Sequence, residues 1–521
     1  MVKHQSEADV CVIGAGISGL VTAKCLKEKG FKVVILEQTE LIGGLWCYRD
    51  HGYGVMRFTH INVSKHNYSF SDFPFPEDVP DFPHNRDMAQ YINDYVVNFG
   101  LDKLIHFNTK VDRVERSGDG WKIAATKTEK GGSHLSVSEE IIYHTKYVAI
   151  ATGHHAEPKR PYFPGQNTFK GQIIHSVDYK DAISNGFTGK RVLIVGIGNS
   201  AVDAAVDCAT TGRCKQVVIS TRSGAWVIPN YIFGLPTDHY ASRLFLWLPW
   251  KVSNFIFEKV VSIITGSPEK WKLNPKMKIL QTQPTVSPTL IHHIQRGNIQ
   301  IKPNITKIDG STVHFTDGTS IDTYCIVYCT GYSISLPFLD EDIKRDILDN
   351  ETNQITLYKN VFSPRVGSSL AFIGFVQPAS GGILTMSETQ AMWFTQLCRQ
   401  KVKLPSPKQM QKAIKKENED NEGRYYKSAR HTIQKDPILY NDEIASLIGS
   451  KPQLWRHPTM AIRLLLSSCG AAQWRLQGPF QWSGASETVR NTPIANLYKF
   501  SSTCILLLIL YVIYKLVTLF C

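Results

Sequence analysis

The sequence predicts an α/β fold with two Rossmann-like domains, the second inserted in the first, plus a C-terminal membrane helix. Three observations predict it. Two glycine-rich turns, Gly14–Gly19 and Gly196–Ala201, each follow an apolar strand and open a helical pattern. Each half then continues to a strand that runs into a Thr-Gly pair, at Thr152 and Thr330. A long apolar run closes the chain.

Composition limits the classes of protein to which this chain can belong. The 521 residues predict two to four domains, and 43% hydrophobic with 20% charged residues is typical of a globular chain. The net charge of +13 favours an anionic partner, namely nucleic acid, a phosphorylated cofactor or a membrane surface. No Lys/Arg-dense run with interleaved aromatic residues is present, so no nucleic-acid partner is expected. The eleven scattered cysteines form no CxxC and indicate a reduced, cytosol-facing protein.

The first unit reads as strand, glycine-rich turn, helix and strand. Its elements are predicted at 10–13, 17–29 and 32–36. The glycines let a pyrophosphate approach the helix N-terminus. Glu37, after the second strand, can accept both hydroxyls of an adenosine ribose and repels a 2′-phosphate, which favours FAD or NAD. The candidate contacts in the turn are Gly14, Ala15, Gly16, Ile17, Ser18 and Gly19.

The second unit repeats this order but ends in a basic residue. Strands are predicted at 191–195 and 216–219, with a helix from about 200 to 209. Arg222 follows the second strand and can pair bidentately with a 2′-phosphate, which favours NADPH. The candidate contacts are Gly196, Gly198, Asn199, Ser200, Ala201, Val202, Asp203, Thr221 and Arg222.

The remaining segments complete the predicted domain order. Short strands are expected over 107–150, a solvated helical surface over 401–440, and no clear periodicity over 452–496. The predicted domains are 1–187 and 331–445 for FAD, 188–330 for NADPH with an apolar insertion at about 226–280, a C-terminal extension at 446–496, and a transmembrane tail at 497–521.

One chain with both sites implies electron flow from the nicotinamide to the flavin. Three acceptors are then open: a redox-active cysteine pair, another protein, or O2. Cys47 has no nearby cysteine in sequence, and Cys325 and Cys329 lie on a predicted core strand, which disfavours the first.

Residues 169–179 have the form FxGxxxHxxxY and resemble the identifying motif of the flavin-containing monooxygenases. The motif lies just ahead of the second glycine-rich turn, as in that family. Its Tyr179 fits this family better than the Baeyer–Villiger enzymes, whose pattern would give Trp. Other segments similar to the family are 43–46, 62–65, 220–226, 329–332 and 478–485.

The resemblance implies a chemistry and a set of further site residues. It implies that NADPH reduces FAD, that reduced FAD and O2 form a C4a-hydroperoxide, and that a soft nitrogen or sulfur nucleophile takes one oxygen atom. Baeyer–Villiger oxidation of ketones and NADPH oxidation to hydrogen peroxide remain alternatives. Asn62 is the implied catalytic residue, and His175 is expected to be structural, holding the linker between domains. The implied flavin contacts are Gly44, Leu45, Trp46, Ile61, Asn62 and Thr152.

The C-terminus predicts attachment to a membrane. Residues 504–521 are apolar except for Lys515, and eighteen helical residues span roughly 27 Å, close to a hydrocarbon core. Trp247 and Trp250 in the insertion are a second, weaker membrane signal, with an ordinary apolar core as the alternative. The resemblance implies the endoplasmic reticulum membrane with the catalytic domain facing the cytosol, a small lipophilic substrate, and an oligomeric state, monomer or homo-oligomer, that stays open.

Overall fold

The structure is a computed structural model that describes residues 4–130, 136–349, 351–426, 433–494 and 510–511. Its helices are α1 (Ile17–Lys27), α2 (Asn85–Asn98), α3 (Asn199–Ala209), α4 (Arg243–Trp247), α5 (Trp250–Thr265), α6 (Leu290–Gln295), α7 (Glu341–Ile347), α8 (Ile383–Cys398), α9 (Pro407–Arg424), α10 (Pro437–Leu447), α11 (Ala461–Leu466) and α12 (Ala485–Asn491).

The strands form two larger sheets that contain parallel strands and several small sheets of two or three strands. They are β1 (His4–Ile13), β2 (Val33–Leu36), β3 (Ile105–His106), β4 (Thr109–Ser117), β5 (Gly120–Lys130), β6 (Ser136–Ile150), β7 (Glu157–Pro158), β8 (Gln172–His175), β9 (Arg191–Val195), β10 (Gln216–Ser220), β11 (Val227–Ile228), β12 (Tyr231–Ile232), β13 (Leu235–Pro236), β14 (Thr285–Val286), β15 (Ile299–Lys302), β16 (Ile305–Asp309), β17 (Thr312–Phe315), β18 (Ser320–Asp322), β19 (Cys325–Tyr328), β20 (Tyr332–Ser333), β21 (Leu348–Asp349), β22 (Gln354–Ile355), β23 (Leu370–Phe372), β24 (Gln377–Pro378) and β25 (Gln434–Lys435).

The first sheet has the order β3-β2-β1-β6-β5-β4, and β23 also pairs with β6. The β1, β2, β3, β6 and β23 pairings are parallel, whereas β4, β5 and β6 form an antiparallel meander. The expectation of short strands over 107–150 is wrong, because β4 and β5 extend for 9 and 11 residues. Trp121, Ile123 and Ala125 are buried on one face of β5 and alternate with less buried residues, a pattern that favours a long strand.

The second sheet has the order β15-β10-β9-β19-β8 and is parallel throughout. All its strands lie between residues 172 and 328, whereas β23, which follows them, returns to the first sheet beside β6. The second βαβ unit therefore lies between two parts of the chain that share the first sheet. Carboxyl ends of parallel strands from both sheets carry the glycine-rich turns, which is where such sheets bind ligands.

An apolar subdomain follows β10 and contains α4 and α5. One stripe of α5 is solvent-exposed and carries Val252, Phe255, Ile256 and Ile263, while Val261 on the opposite face is buried. The spacing of three, four and seven residues places the exposed side chains on one side of the helix. Trp247 at the end of α4 is 54% exposed beside them.

The C-terminal half differs from the sequence expectation in two places. Helix α9 is largely exposed as predicted, but the segment from Ile433 to Tyr440 is buried and leads into α10, which packs on α8. Residues 452–494 form short helices around their own apolar cluster, which includes Met460, Leu464 and Val489. Burial there comes from contacts between distant segments, which a local periodicity does not reveal.

The same C-terminal segment supplies a buried charge to the first domain. Arg475, 2% exposed, binds Asp72, and its Nε atom donates to Ser71 Oγ at 2.6 Å. Lys24 of α1 binds the same Asp72 carboxylate, and Glu388 of α8 accepts from the Ser71 backbone N–H at 2.8 Å. Two cations and two anions thus join α1, α8, the 71–72 loop and the C-terminal segment.

Among the residues that the structure describes, no helix is both long and apolar enough to cross a membrane. The predicted transmembrane tail at 497–521 lies outside them apart from Leu510 and Tyr511.

Candidate active site

The first glycine-rich turn joins β1 to α1 through two positions that exclude any side chain. Gly14 has φ +102°, and a Cβ there would lie 2.8 Å from the carbonyl oxygen of Ala151. A Cβ on Gly19 would lie 1.9 Å from the carbonyl oxygen of Gly14. The turn therefore presses α1 against the carboxyl ends of β1 and β6, and the N-terminus of α1 begins at the expected ligand position.

Glu37 is held by the protein itself at the end of β2. Its Oε2 atom accepts from the Ala15 backbone N–H at 2.9 Å, and Oε1 accepts from the Thr39 N–H and hydroxyl, each at 2.9 Å. A carboxylate has about four acceptor positions, so three donors leave capacity mainly on Oε2. One acceptor position on Oε2 therefore remains for a ribose hydroxyl, and acceptance from both hydroxyls stays a prediction.

The segment from Gly43 to Trp46 lies directly against the first turn. The Gly43 N–H donates to the Ala15 carbonyl at 2.9 Å, and a Cβ on Gly44 would lie 3.3 Å from Gly16 Cα. Thr152 Oγ1, next to this cradle, is buried without a hydrogen-bond partner among the described residues. A cradle that only glycine fits and a buried hydroxyl with unused capacity suit a bound FAD.

Two residues of the first turn have side chains that are already engaged elsewhere. The Ser18 hydroxyl lies 2.9 Å from the Ser387 hydroxyl and so connects α1 with α8. Ile17 is half-buried and packs against the hydrophobic core around β1 and α1. These residues can therefore contact a ligand through their backbone N–H groups at the start of the helix.

The second turn is built in the same way. Gly196 has φ +125°, and a Cβ there would lie 2.4 Å from the carbonyl oxygen of Cys329. Asn199 Oδ1 accepts from the Val286 N–H at 2.9 Å, which fixes the start of α3 against β14. Val202 is fully buried in the core of the second domain, so a cofactor contact by this residue would be made through its backbone and stays a prediction.

The residues predicted to bind the 2′-phosphate lie at the carboxyl end of β10. The Thr221 hydroxyl accepts from the Gly224 N–H at 3.0 Å and shapes the following turn. Arg222 is exposed to solvent. Neither belongs to the walls of the cavity described next, so an adenosine phosphate bound there would lie at the outer edge of the site.

A cavity of about 720 Å³ extends from Leu45 and Trp46, in the segment that lies against the first turn, to the second glycine-rich turn. It brings together many of the predicted residues, whereas the first turn, Glu37 and Thr152 lie outside its walls. The predicted residues that line it are Leu45, Trp46, Ile61, Asn62, Gly198, Asn199, Ser200, Ala201 and Asp203.

The cavity also has walls that the sequence did not single out. They come from the segments after β6 and β19 and from β24, and they include His154, His155, Tyr332 and Gln377. His154 Nδ1 lies 3.2 Å from the Gly374 carbonyl, and burial lowers the pKa of this imidazole. For two of these segments the sequence does contain a signal, namely the Thr-Gly pairs that follow β6 and β19.

The FxGxxxHxxxY motif stabilises the second domain, and of its residues Ser176 lines the cavity. Tyr179 Oη donates to Asp207 Oδ2 of α3 at 2.6 Å, and a Cβ on Gly171 would lie 2.2 Å from the Tyr324 carbonyl oxygen. His175 ends β8, and burial lowers its pKa to about 4. The imidazole is therefore neutral near pH 7 and has a structural position, within the second sheet and not in a linker.

The cysteine positions do not support a redox-active pair. Cys325 and Cys329 are buried thiols at the end of the second sheet, and Cys47 is a half-buried thiol. Burial raises the pKa of Cys325 to about 11, which keeps the unreactive thiol form near neutral pH.

Asp203 is one of two aspartates of α3 that line the cavity, the other being Asp207. Asp203 lies one helical turn after the glycine-rich turn, and burial raises its pKa to about 7. A carboxyl group that is partly neutral at physiological pH can lie near a bound phosphate without the full repulsion of a carboxylate.

A family model described as FMO-like, flavin-binding monooxygenase-like, matches residues 7–500. The chain is 36% identical to flavin-containing monooxygenase 5 of Homo sapiens over 93% of this chain and 91% of that protein. It is 35% identical to dimethylaniline monooxygenase [N-oxide-forming] 2 of Cavia porcellus, over 92% of this chain and 90% of that protein.

Two solved structures share the fold at lower identity. An S-allyl-L-cysteine S-oxygenase from Allium sativum has a TM-score of 0.63 and 23% identity, over 87% of this chain and 91% of that chain. The closed crystal structure of cyclohexanone monooxygenase has a TM-score of 0.61 and 17% identity, over 85% and 97% of the two chains.

Asp203→Asn is expected to stabilise the FAD-loaded protein in a pH-dependent way when no NADPH is added. The unfolded carboxyl ionises near 3.8 and the folded one near 7, so stability is lost as pH rises between these values. Asparagine escapes this loss, and the difference in the free energy of unfolding should grow by at most about 1.4 kcal/mol per pH unit. Thermal unfolding from pH 4 to 8 measures it, with the exposed Asp309→Asn as control. A pH-independent difference would contradict the assignment.

Proposed function

We propose that this chain, which belongs to the flavin-binding monooxygenase-like family, oxygenates soft nitrogen and sulfur nucleophiles in the cavity beside Asn62. It is an NADPH-dependent flavin monooxygenase that uses FAD and O2. The cofactors supply hydride transfer from NADPH and activation of O2 at the reduced flavin. The protein supplies binding, orientation and exclusion of water.

The cavity beside Asn62 carries this proposal. It extends from Leu45 and Trp46, next to the glycine cradle, to the Gly198–Ala201 turn of the second unit, with Asn62 in its wall. A nicotinamide held at the second turn and a flavin whose ring reaches past Leu45 and Trp46 would meet in this space. Such an arrangement suits a reaction in which NADPH, flavin and O2 act in succession at one place.

Apolar residues near Asn62 would protect the proposed reaction from water. Met56 and Ile61 are buried, and Val55 and Phe58 are half-buried beside them. An apolar wall excludes water and admits a lipophilic substrate. Asn62 offers an amide that can donate and accept, and we assign it the orientation of reacting groups in the cavity.

Nitrogen and sulfur oxygenation is preferred to ketone oxidation for two reasons. Curated relatives at 35% identity carry the description N-oxide-forming, and the identifying motif ends in Tyr179. The cyclohexanone monooxygenase structures, at 17% identity, share the fold alone. Oxidation of a cyclic ketone is therefore an outcome to test.

Turnover with NADPH and ¹⁸O2 tests the activity on a thioether, a tertiary amine and a cyclic ketone. We expect a sulfoxide or N-oxide that contains one ¹⁸O atom, because the proposed apolar wall would select substrates mainly by whether they can enter the cavity. Asn62→Ala is expected to lower product per NADPH by roughly tenfold, with a matching rise in hydrogen peroxide.

Asn98→Ala, on the exposed end of α2, serves as the control and should leave product yield unchanged. Product formation from the ketone alone would favour the Baeyer–Villiger alternative. Stoichiometric peroxide with no product from any substrate would contradict oxygenation and indicate an oxidase. Full coupling in Asn62→Ala would remove Asn62 from the mechanism.

Arg222 is proposed to select NADPH over NADH. Its position after β10 and its exposure leave the guanidinium accessible to a 2′-phosphate at the edge of the site. A charge-assisted bidentate contact is the strongest means of recognising this group.

Arg222→Gln is expected to raise KM for NADPH by roughly 10- to 100-fold, because a hydrogen bond to a charged group contributes about 1.5–3 kcal/mol. KM for NADH should not change. Steady-state kinetics with both dinucleotides measures this, and the exposed Arg213→Gln is the control. An equal effect on NADH would show a structural role instead.

Attachment to the endoplasmic reticulum membrane, with the catalytic part facing the cytosol, is also proposed. The exposed stripe of α5, with Phe255 61% and Ile263 81% exposed, supports a face that lies on lipid. Lys259 on the same side and the net charge of +13 favour an anionic surface. The apolar run at 504–521 supports a second attachment from the sequence.

Spin labels at Phe255→Cys and Ile263→Cys, in the full chain bound to anionic vesicles, are expected to lie in the apolar phase. The reason is that exposed apolar area gains free energy when lipid replaces water. Electron paramagnetic resonance measures accessibility to O2 against a water-soluble nickel complex. Val97→Cys, 74% exposed on α2, is the matched water-facing control. Equal water accessibility at all three positions would exclude this face from the membrane.

A further inference from the structure

We propose that Asp238 is a positioning residue for Asn62 and thereby determines how fully NADPH oxidation is coupled to product formation. Asp238 lies in the short 3-10 helix Thr237–Tyr240 of the apolar subdomain. It is far from Asn62 in sequence and acts through residues 64–67. The inference rests on the proposed role of Asn62.

The loop that carries Asn62 belongs to no helix or strand, so specific contacts must hold it. Two backbone hydrogen bonds fix it on either side of Asn62. The Ile61 N–H donates to the Pro83 carbonyl at 2.8 Å, and the Lys65 N–H donates to the Asp81 carbonyl at 2.7 Å. A third bond, from the Asn67 N–H to the Ser64 carbonyl at 3.0 Å, closes a turn within residues 64–67, and side-chain contacts hold this turn in place.

Asp238 accepts three hydrogen bonds from this loop. The Ser64 N–H donates to Oδ1 at 3.3 Å, and the Ser64 hydroxyl donates to Oδ2 at 2.7 Å. The Asn67 amide donates to Oδ2 at 2.6 Å. One carboxylate thus fixes backbone and side chain of a residue two positions after Asn62, and charged acceptors make such bonds strong.

The neighbouring His239 completes the anchor. Its Nε2 atom lies 2.8 Å from Ser64 Oγ, and its Nδ1 donates to the Pro493 carbonyl at 2.9 Å. Ser64 and His239 are both fully buried. Asn67 also donates to Ser468 Oγ at 3.1 Å, so the same four-residue loop contacts the apolar subdomain and the C-terminal segment.

This arrangement assigns Asp238 an indirect role. Asp238 is not among the residues that line the cavity, whereas Asn62 is. Loss of the carboxylate would let Ser64 shift and would displace the Asn62 amide without removing any group from the cavity wall. Small displacements of a positioned group reduce productive geometry far more than they reduce folding.

Asp238→Asn in the full-length, FAD-loaded protein is the primary test. The asparagine amide presents donors where the loop needs an acceptor. We expect product per NADPH to fall by roughly tenfold while hydrogen peroxide rises to match, with kcat for NADPH oxidation retained. Asp238→Glu, which restores a carboxylate, should recover part of the coupling.

Tyr231→Phe is the matched control. It removes a hydrogen bond of 2.7 Å from Tyr231 Oη to Asp81 Oδ2, which also joins the apolar subdomain to the 60–85 region, and it leaves the backbone bond from the Lys65 N–H to the Asp81 carbonyl in place. Coupling should remain intact in this variant. Equal uncoupling in Tyr231→Phe, or full coupling in a folded Asp238→Asn, would overturn the proposal.

The double variant Asn62→Ala/Asp238→Asn separates this proposal from the proposed function. If Asp238 acts through Asn62, the double variant should be no less coupled than Asn62→Ala. An additive loss would overturn the positioning role, whereas full coupling in Asn62→Ala would refute the role of Asn62 itself. If Asp238→Asn does not fold, Asn67→Ala removes one of the three donors, and full coupling in that variant would count against the proposal.

Discussion

Strand β6 is the constraint on which both halves of the first domain depend. Its early residues pair antiparallel with β5, and its last three residues pair parallel with β23, which arrives after the whole second sheet. Along the other side β1 pairs with it throughout from Ile141 to Ile150. Ala151 directly follows β6, and its carbonyl limits the space at Gly14, so one strand determines the sheet, the return of the chain and the shape of the first ligand turn.

Features that depend on neighbours in sequence could be predicted. Both glycine-rich turns, Glu37 and Arg222 follow from a strand, a turn and a helix in fixed order, and the fold confirms the α/β class. The resemblance to the monooxygenase family, carried by residues 169–179, was confirmed by the family match. The structure adds an internal contact of this motif, since the Tyr179 hydroxyl donates to Asp207 of α3.

Features that depend on distant segments could not be predicted. His154 and Gln377 reach the cavity from segments more than 200 residues apart, and Ser64 meets Asp238 across 174 positions. A local pattern also does not show that the side chain of Val202 is buried in the core. Side-chain direction within an element, and pairing between remote elements, arise from packing, which sequence spacing does not encode.

The buried cluster of Lys24, Asp72, Glu388 and Arg475 has a consequence for the order of events during synthesis. The strands of the second sheet lie between residues 172 and 328 and can form as soon as they leave the ribosome. The first domain must wait for β23 and then for Arg475, because Asp72 and Glu388 stay without this cation until then. At roughly 5–20 residues per second, synthesis from the end of the second sheet to Arg475 takes about 7–30 s. During this interval the apolar surface of the nascent first domain that Phe480 covers in the complete fold would stay exposed to water and prone to aggregation.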